Sequence, residues 1–67
     1  MDVAGLADLL YETSLRHGAF EASAPPHNWW DWYAAYFAAR QDGDTPAQAD
    51  KAADEYMKEA FDVVVSR

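Results

Sequence analysis

The sequence predicts an all-α fold, a compact three-helix domain occupying residues 1–67. Three observations lead there. Apolar side chains recur at three- and four-residue spacing in three separate segments, which is the period of a helix face. No segment alternates apolar and polar residues as a half-buried strand would. Two breaker clusters, Ala22-Ser23-Ala24-Pro25-Pro26 and Asp42-Gly43-Asp44, divide the chain between those segments.

The first helix is expected over about 2–17. Val3, Leu6, Leu9, Leu10 and Thr13 share a face, and Gly18 follows His17 where a left-handed residue would end the helix. Pro25 and Pro26 then remove backbone donors and push their predecessors toward extended conformations, so this stretch reads as a strap. The second helix is expected over about 28–41, with Asn28 as N-cap, Asp31 three positions on as a capping-box carboxylate, and Gly43 beyond its end. The third is expected over about 45–64. Thr45 is its N-cap, Pro46 its first residue, and Gln48 completes a capping box. Ala49, Ala52, Ala53, Tyr56, Ala60 and Val63 or Val64 form its apolar side. The tail Val63-Val64-Val65 is β-branched and poorly helical, so it should fray unless something packs on it.

Length and charge restrict the function. A chain near 60 residues buries only about 60% of the surface its unfolded form exposes, so it must pack densely or borrow surface from a partner. There are no cysteines, which removes disulfides and thiolate metal sites. Twelve acidic residues against five Lys and Arg give a net charge of -7, a field that repels phosphate backbones and argues against nucleic-acid binding. No run approaches the ~20 apolar residues of a membrane span, and MDVAGLADLL lacks the basic start of a secretory signal. A cytoplasmic protein without membrane contact is the expectation.

The most unusual stretch is HNWWDWYAAYF, residues 27–37. At about 100° per residue, Trp29, Trp30, Trp32, Tyr33, Tyr36 and Phe37 fall within an arc of roughly 160°, with Arg40 near its middle. Ala34, Ala35 and Ala38 lie opposite with Asp31, so a neighbouring helix can approach closely there. Much of this is core. Six large rings nevertheless exceed what one neighbour covers, and the remainder should be exposed or covered by the strap, by Phe20 or by a second chain.

Two polar pairs carry possible chemistry. His17 with Glu21 and His27 with Asp31 are each four apart, a spacing at which helices can assemble metal ligands, and Glu12 is nearby. Against this, Gly18 should break the geometry of the first pair, His17 suits a helix C-terminus, and Asp31 suits a capping box. Neither a metal nor a cofactor is therefore expected, with His17, Glu21, His27 and Asp31 as the candidate ligands if one binds. Ser14, Ser23 and Ser66 have no nucleophile context and no phosphate loop is present, so no catalytic residue is assigned and no enzymatic role is expected. Arg40 should stack on the rings and pair with an acidic residue such as Glu21, closing the strap onto the second helix.

Several stretches together show a resemblance. Leu6-Ala7-Asp8-Leu9-Leu10, Arg16-His17-Gly18-Ala19-Phe20-Glu21, Ala24-Pro25-Pro26-His27, Trp30-x-Trp32-Tyr33-Ala34-Ala35-Tyr36, Ala39-Arg40-Gln41 and Thr45-Pro46-Ala47-Gln48-Ala49 are similar to a small helical segment at the C-terminus of some actinobacterial glyoxalase/bleomycin-resistance-like (vicinal oxygen chelate) proteins, and to its short stand-alone relatives. The similarity covers nearly the whole chain, and DWYAAY followed by a TP-started helix is its most specific part. The βαβββ metal-binding half of the larger family has no counterpart here, so its enzymatic and resistance activities do not carry over. The resemblance implies an accessory module, with His17, Phe20, Glu21, His27 and the WWDWYAAY stretch as its signature.

The leading expectation is thus a non-enzymatic module acting through an aromatic face, by homodimerisation or by docking to a separate protein. Trp29, Trp30, Trp32, Tyr33 and Phe37 would be its anchors, flanked by Phe20, Glu21 and Arg40. The alternative is an accessory protein that binds a metal or small molecule through the rings with His17, Glu21, His27 and Arg40.

Overall fold

A computed structural model describes residues 2–65, and two of its helices, the first and the third, start where a side chain satisfies a free amide. The helices are α1 (Val3–Glu21), α2 (Trp29–Gln41) and α3 (Pro46–Phe61), with no strand among the described residues. The Cα radius of gyration, 11.4 Å, is close to the ~11 Å of a compact chain of this length.

Gly18 does not end α1, contrary to the expectation of a stop near residue 17. The helix runs one turn further, to Glu21. A glycine in a helix interior costs about 1 kcal/mol relative to alanine. The added turn carries Phe20 to complete burial against Trp32, and burying such a side chain is worth about 1.5–3 kcal/mol, so packing outweighs propensity. At the other end, Asp2 accepts the Gly5 amide at 2.7 Å.

In α2 the Asn28 side chain makes no cap bond, so the capping box expected with Asp31 is absent. Asp31 still lies in the first turn, where its charge complements the helix dipole. The box at α3 is formed as the sequence indicates: Gln48 N–H donates to Thr45 Oγ1 at 3.2 Å, and Thr45 N–H donates to Gln48 Oε1 at 2.9 Å. This helix stops at Phe61 rather than near residue 64. Asp62 takes the left-handed conformation (φ 56°), and the Val63 amide reaches back to the Met57 carbonyl at 3.1 Å. Val63 is then buried in the core and Val65 packs partly against it, while Val64 stays half exposed.

The centre of the molecule is Trp32 stacked on Tyr36, ring centroids 5.2 Å apart. Leu9 and Phe20 of α1 and Ala49, Ala53 and Met57 of α3 complete it. The fully buried alanines at 49 and 53 let α3 come close to α2, the helix pair with the most extensive contact. Beyond its packed Leu9 and Phe20, α1 is fastened by polar groups. Arg16 pairs with Asp50 at 2.8 Å, and Glu12 accepts from the Tyr36 hydroxyl at 2.6 Å and from Arg40 Nε at 2.9 Å.

The Arg40 pairing corrects the expectation that it would meet Glu21. Contacts between α1 and α2 place Glu12 beside Arg40 and His17 and Phe20 beside Trp32, so the helices run antiparallel and Glu21 lies at the opposite end from Arg40. Arg40 also donates to the Asp44 carbonyl at 2.8 Å. Within this clamp the arginine and the tyrosine hydroxyl hold the Glu12 carboxyl below its ordinary pKa. Burial and the neighbouring carboxylate push the Tyr36 phenol up to about 12.

Candidate metal centre

The continuation of α1 through Gly18 has a chemical consequence. It puts Glu21 one turn beyond His17 on the same helix face, and their side chains meet, His17 Nε2 to Glu21 Oε2 at 3.1 Å. The helix end expected at Gly18 would separate this pair; the continued helix joins it.

The third member comes from the strap. His27 returns over the end of α1, with its ring edge-on to Phe20 at a centroid distance of 4.9 Å. Its Nδ1 lies 2.8 Å from the Pro25 carbonyl oxygen. A carbonyl can only accept, so this bond assigns the proton to Nδ1 and leaves Nε2 of the neutral ring with a free lone pair. That Nε2 faces His17 Nε2 at 3.1 Å and Glu21 Oε2 at 3.4 Å. A histidine whose second nitrogen donates to a backbone carbonyl is oriented as metal-ligating histidines are.

The surroundings keep both imidazoles in place. The His17 ring meets Trp32 and Tyr33 edge-on at 5.5 and 5.3 Å. Side-chain exposure is 2% for His27 and 11% for His17 but 58% for Glu21, so two buried imidazoles are capped by a carboxylate at the solvent edge. Burial pushes the His17 imidazole below its ordinary pKa; Glu21 opposes this and His27 reinforces it. The balance favours the neutral ring, the form that can ligate a metal.

Three mutual distances of 3.1, 3.1 and 3.4 Å define a circle with a radius of about 1.9 Å. Zinc binds imidazole nitrogen at ~2.0–2.1 Å and carboxylate oxygen at ~2.0–2.2 Å, so an ion of that size fits just off the plane of the three atoms. Without a cation, the Glu21 carboxylate and the His27 Nε2 lone pair are both acceptors. With both rings neutral, one proton, on His17 Nε2, is available between them. The donor set therefore suits a borderline divalent ion, and the described residues contain no other group of three or more converging His, Cys, Asp or Glu ligands.

The remaining sequence candidates fall elsewhere. Asp31 is outside the converging set; it lines, with Pro26, His27, Asn28 and Met57, a cleft of about 460 Å³ beside the strap. Trp32 and Phe20 are fully buried core and offer no docking surface, while Tyr33 and Phe37 are partly buried against that core. Trp29 and Trp30 remain 54% and 53% exposed, edge-on to each other at 5.6 Å, and Trp29 also meets Tyr33 at 4.9 Å. The guanidinium of Arg40 is engaged by Glu12 and the Asp44 carbonyl rather than presented with the rings. The role of Glu12 as partner of both Tyr36 and Arg40 is not legible in the sequence, because those partners lie on another helix.

Fold and site define a three-helix protein with a candidate two-histidine, one-carboxylate metal centre. No protein family, no curated protein and no solved structure matches the chain. No described helix is long and apolar enough to cross a membrane.

Proposed function

We propose that this protein binds a divalent transition metal of zinc-like size through His17, Glu21 and His27. The observation that carries the reading is the convergence of three donor atoms within 3.4 Å of one another, with the His27 lone pair aimed inward by the bond to Pro25. This is the metal-binding form of an accessory role, and the resemblance to a stand-alone helical module is compatible with it. Isothermal titration of chelator-treated protein with zinc chloride tests it. One ion per chain is expected, with binding lost in His17→Ala and His27→Ala. Absence of saturable binding to the wild-type protein would refute the proposal.

A second reading, docking to a separate protein or a second copy through Trp29 and Trp30, is favoured by their exposure beside an otherwise packed aromatic helix. Native mass spectrometry over a concentration series tests the homodimer form. A dimer that dissociates in Trp29→Ala or Trp30→Ala supports it, and a monomer throughout argues against self-association.

A further inference from the structure

We infer that the metal held by His17, Glu21 and His27 keeps at least one coordination position open to solvent and takes a small anionic ligand there through oxygen or nitrogen. The inference rests on the metal-binding reading and deepens it by naming what the bound ion does next.

The first support is the donor count. The converging set among the described residues has three members and does not include Asp31; Glu12 holds Arg40 and Tyr36, Asp50 holds Arg16, and Asp54 accepts from Trp32 Nε1. Structural zinc sites are closed by four protein ligands, whereas three protein ligands with a water or substrate in the fourth place mark sites that handle exogenous molecules.

The second support is the shape of the triangle. For donors ~2.0–2.1 Å from a tetrahedral ion the donor–donor edge is about 3.3–3.4 Å, near the three distances here, so the trio forms one face of a tetrahedron. The ion would sit about 0.9 Å off that face, with its fourth direction pointing away from all three side chains. An octahedral ion capped by the same face would have three free directions.

The third is the gradient of exposure and charge. Two buried imidazoles lie on the protein side and the exposed Glu21 carboxylate lies at the solvent boundary, so an ion held by the three is reached from the carboxylate edge. Two neutral rings and one carboxylate leave a divalent ion with a residual charge of about +1, which favours an anionic fourth ligand. The chain's net charge of -7 works against large polyanions and leaves small monoanions favoured.

The test is visible spectroscopy of the full chain loaded with cobalt(II), titrated with sodium azide, with protein-bound cobalt quantified after gel filtration at each point. The expected result is a saturable change in the cobalt bands, one azide per ion, with cobalt still on the protein. An unchanged spectrum with cobalt retained would mean a closed sphere and would overturn the open position while leaving metal binding intact. Azide that strips the cobalt would also overturn it. Protein that never takes up cobalt or zinc would defeat the metal reading itself. Glu21→Gln, whose exposed side chain is replaced without disturbing the core, should retain its helical circular dichroism and bind cobalt more weakly.

Discussion

Zinc should raise the melting temperature of this protein by an amount set by mass action. The three donors come from the last turns of α1 and from a strap residue ten positions after His17, so the unfolded chain does not hold them together. A ligand that binds only the native state stabilises by about 2.7 kcal/mol at a hundredfold excess over its dissociation constant. Domains have about 0.05–0.15 kcal/mol of stability per residue, or about 3–10 kcal/mol here, so this increment is a large fraction of the whole. At ~4–8 °C per kcal/mol for small domains, the melting temperature should rise by roughly 10–20 °C. Differential scanning calorimetry with and without zinc, after chelator treatment, measures the shift. His27→Ala also loses ring packing on Phe20, so its metal-free melting temperature should fall, and the comparison is each protein's own difference with and without zinc. No rise in the wild type, or an equal rise in His27→Ala, would refute the reasoning.

Other consequences concern the frame around the site. Met57→Ala removes a fully buried side chain and should cost about 2–5 kcal/mol in urea unfolding, with an unchanged denaturant slope. Thr45→Ala breaks the capping box and should cost about 0.5–2 kcal/mol by the same assay. The Glu12 carboxyl is held below its ordinary value of 4.5, first by Arg40 and then by the Tyr36 hydroxyl. Its stabilisation is therefore fully present above that ordinary value and is lost as pH falls through the lower, folded-state value. Urea midpoints across the acid range should show this loss in the wild type and a flatter dependence in Glu12→Gln.

How much was legible in sequence depended on whether the deciding interaction was local. Thr45, Pro46 and Gln48 specify the start of α3 through bonds within three residues, and the helix begins there. The stop of α1 was not legible, because Gly18 is a local signal outvoted by the burial of Phe20 against a helix that comes later in the chain. The consequence is chemical: a helix ending at His17 would not carry the one-turn spacing that joins Glu21 to His17. The aromatic arc was read correctly as too large to bury whole. Its division into buried Trp32 and Tyr36 and exposed Trp29 and Trp30 depends on where α1 and α3 lie, which periodicity does not state. The carboxylate that meets Arg40 is not legible for the same reason, since both Glu12 and Glu21 are on α1 and only the antiparallel register selects Glu12.

The two ways of filling the gap between His17, Glu21 and His27 make opposite demands on protons. Protonation of the imidazoles would place one or two positive rings beside the carboxylate, but burial of His17 works against the charged form. A metal instead supplies the positive charge while both rings stay neutral, so it satisfies the lone pair of His27 and the charge of Glu21 together. Metal affinity should consequently fall as the solution is acidified and the rings must lose protons to ligate. A net charge of -7 adds a long-range attraction for cations that salt screens over about 8–10 Å. Raising ionic strength should thus weaken metal association modestly, whereas acidification should weaken it steeply. A cluster that merely shared protons would show the pH response without any metal-dependent gain in stability.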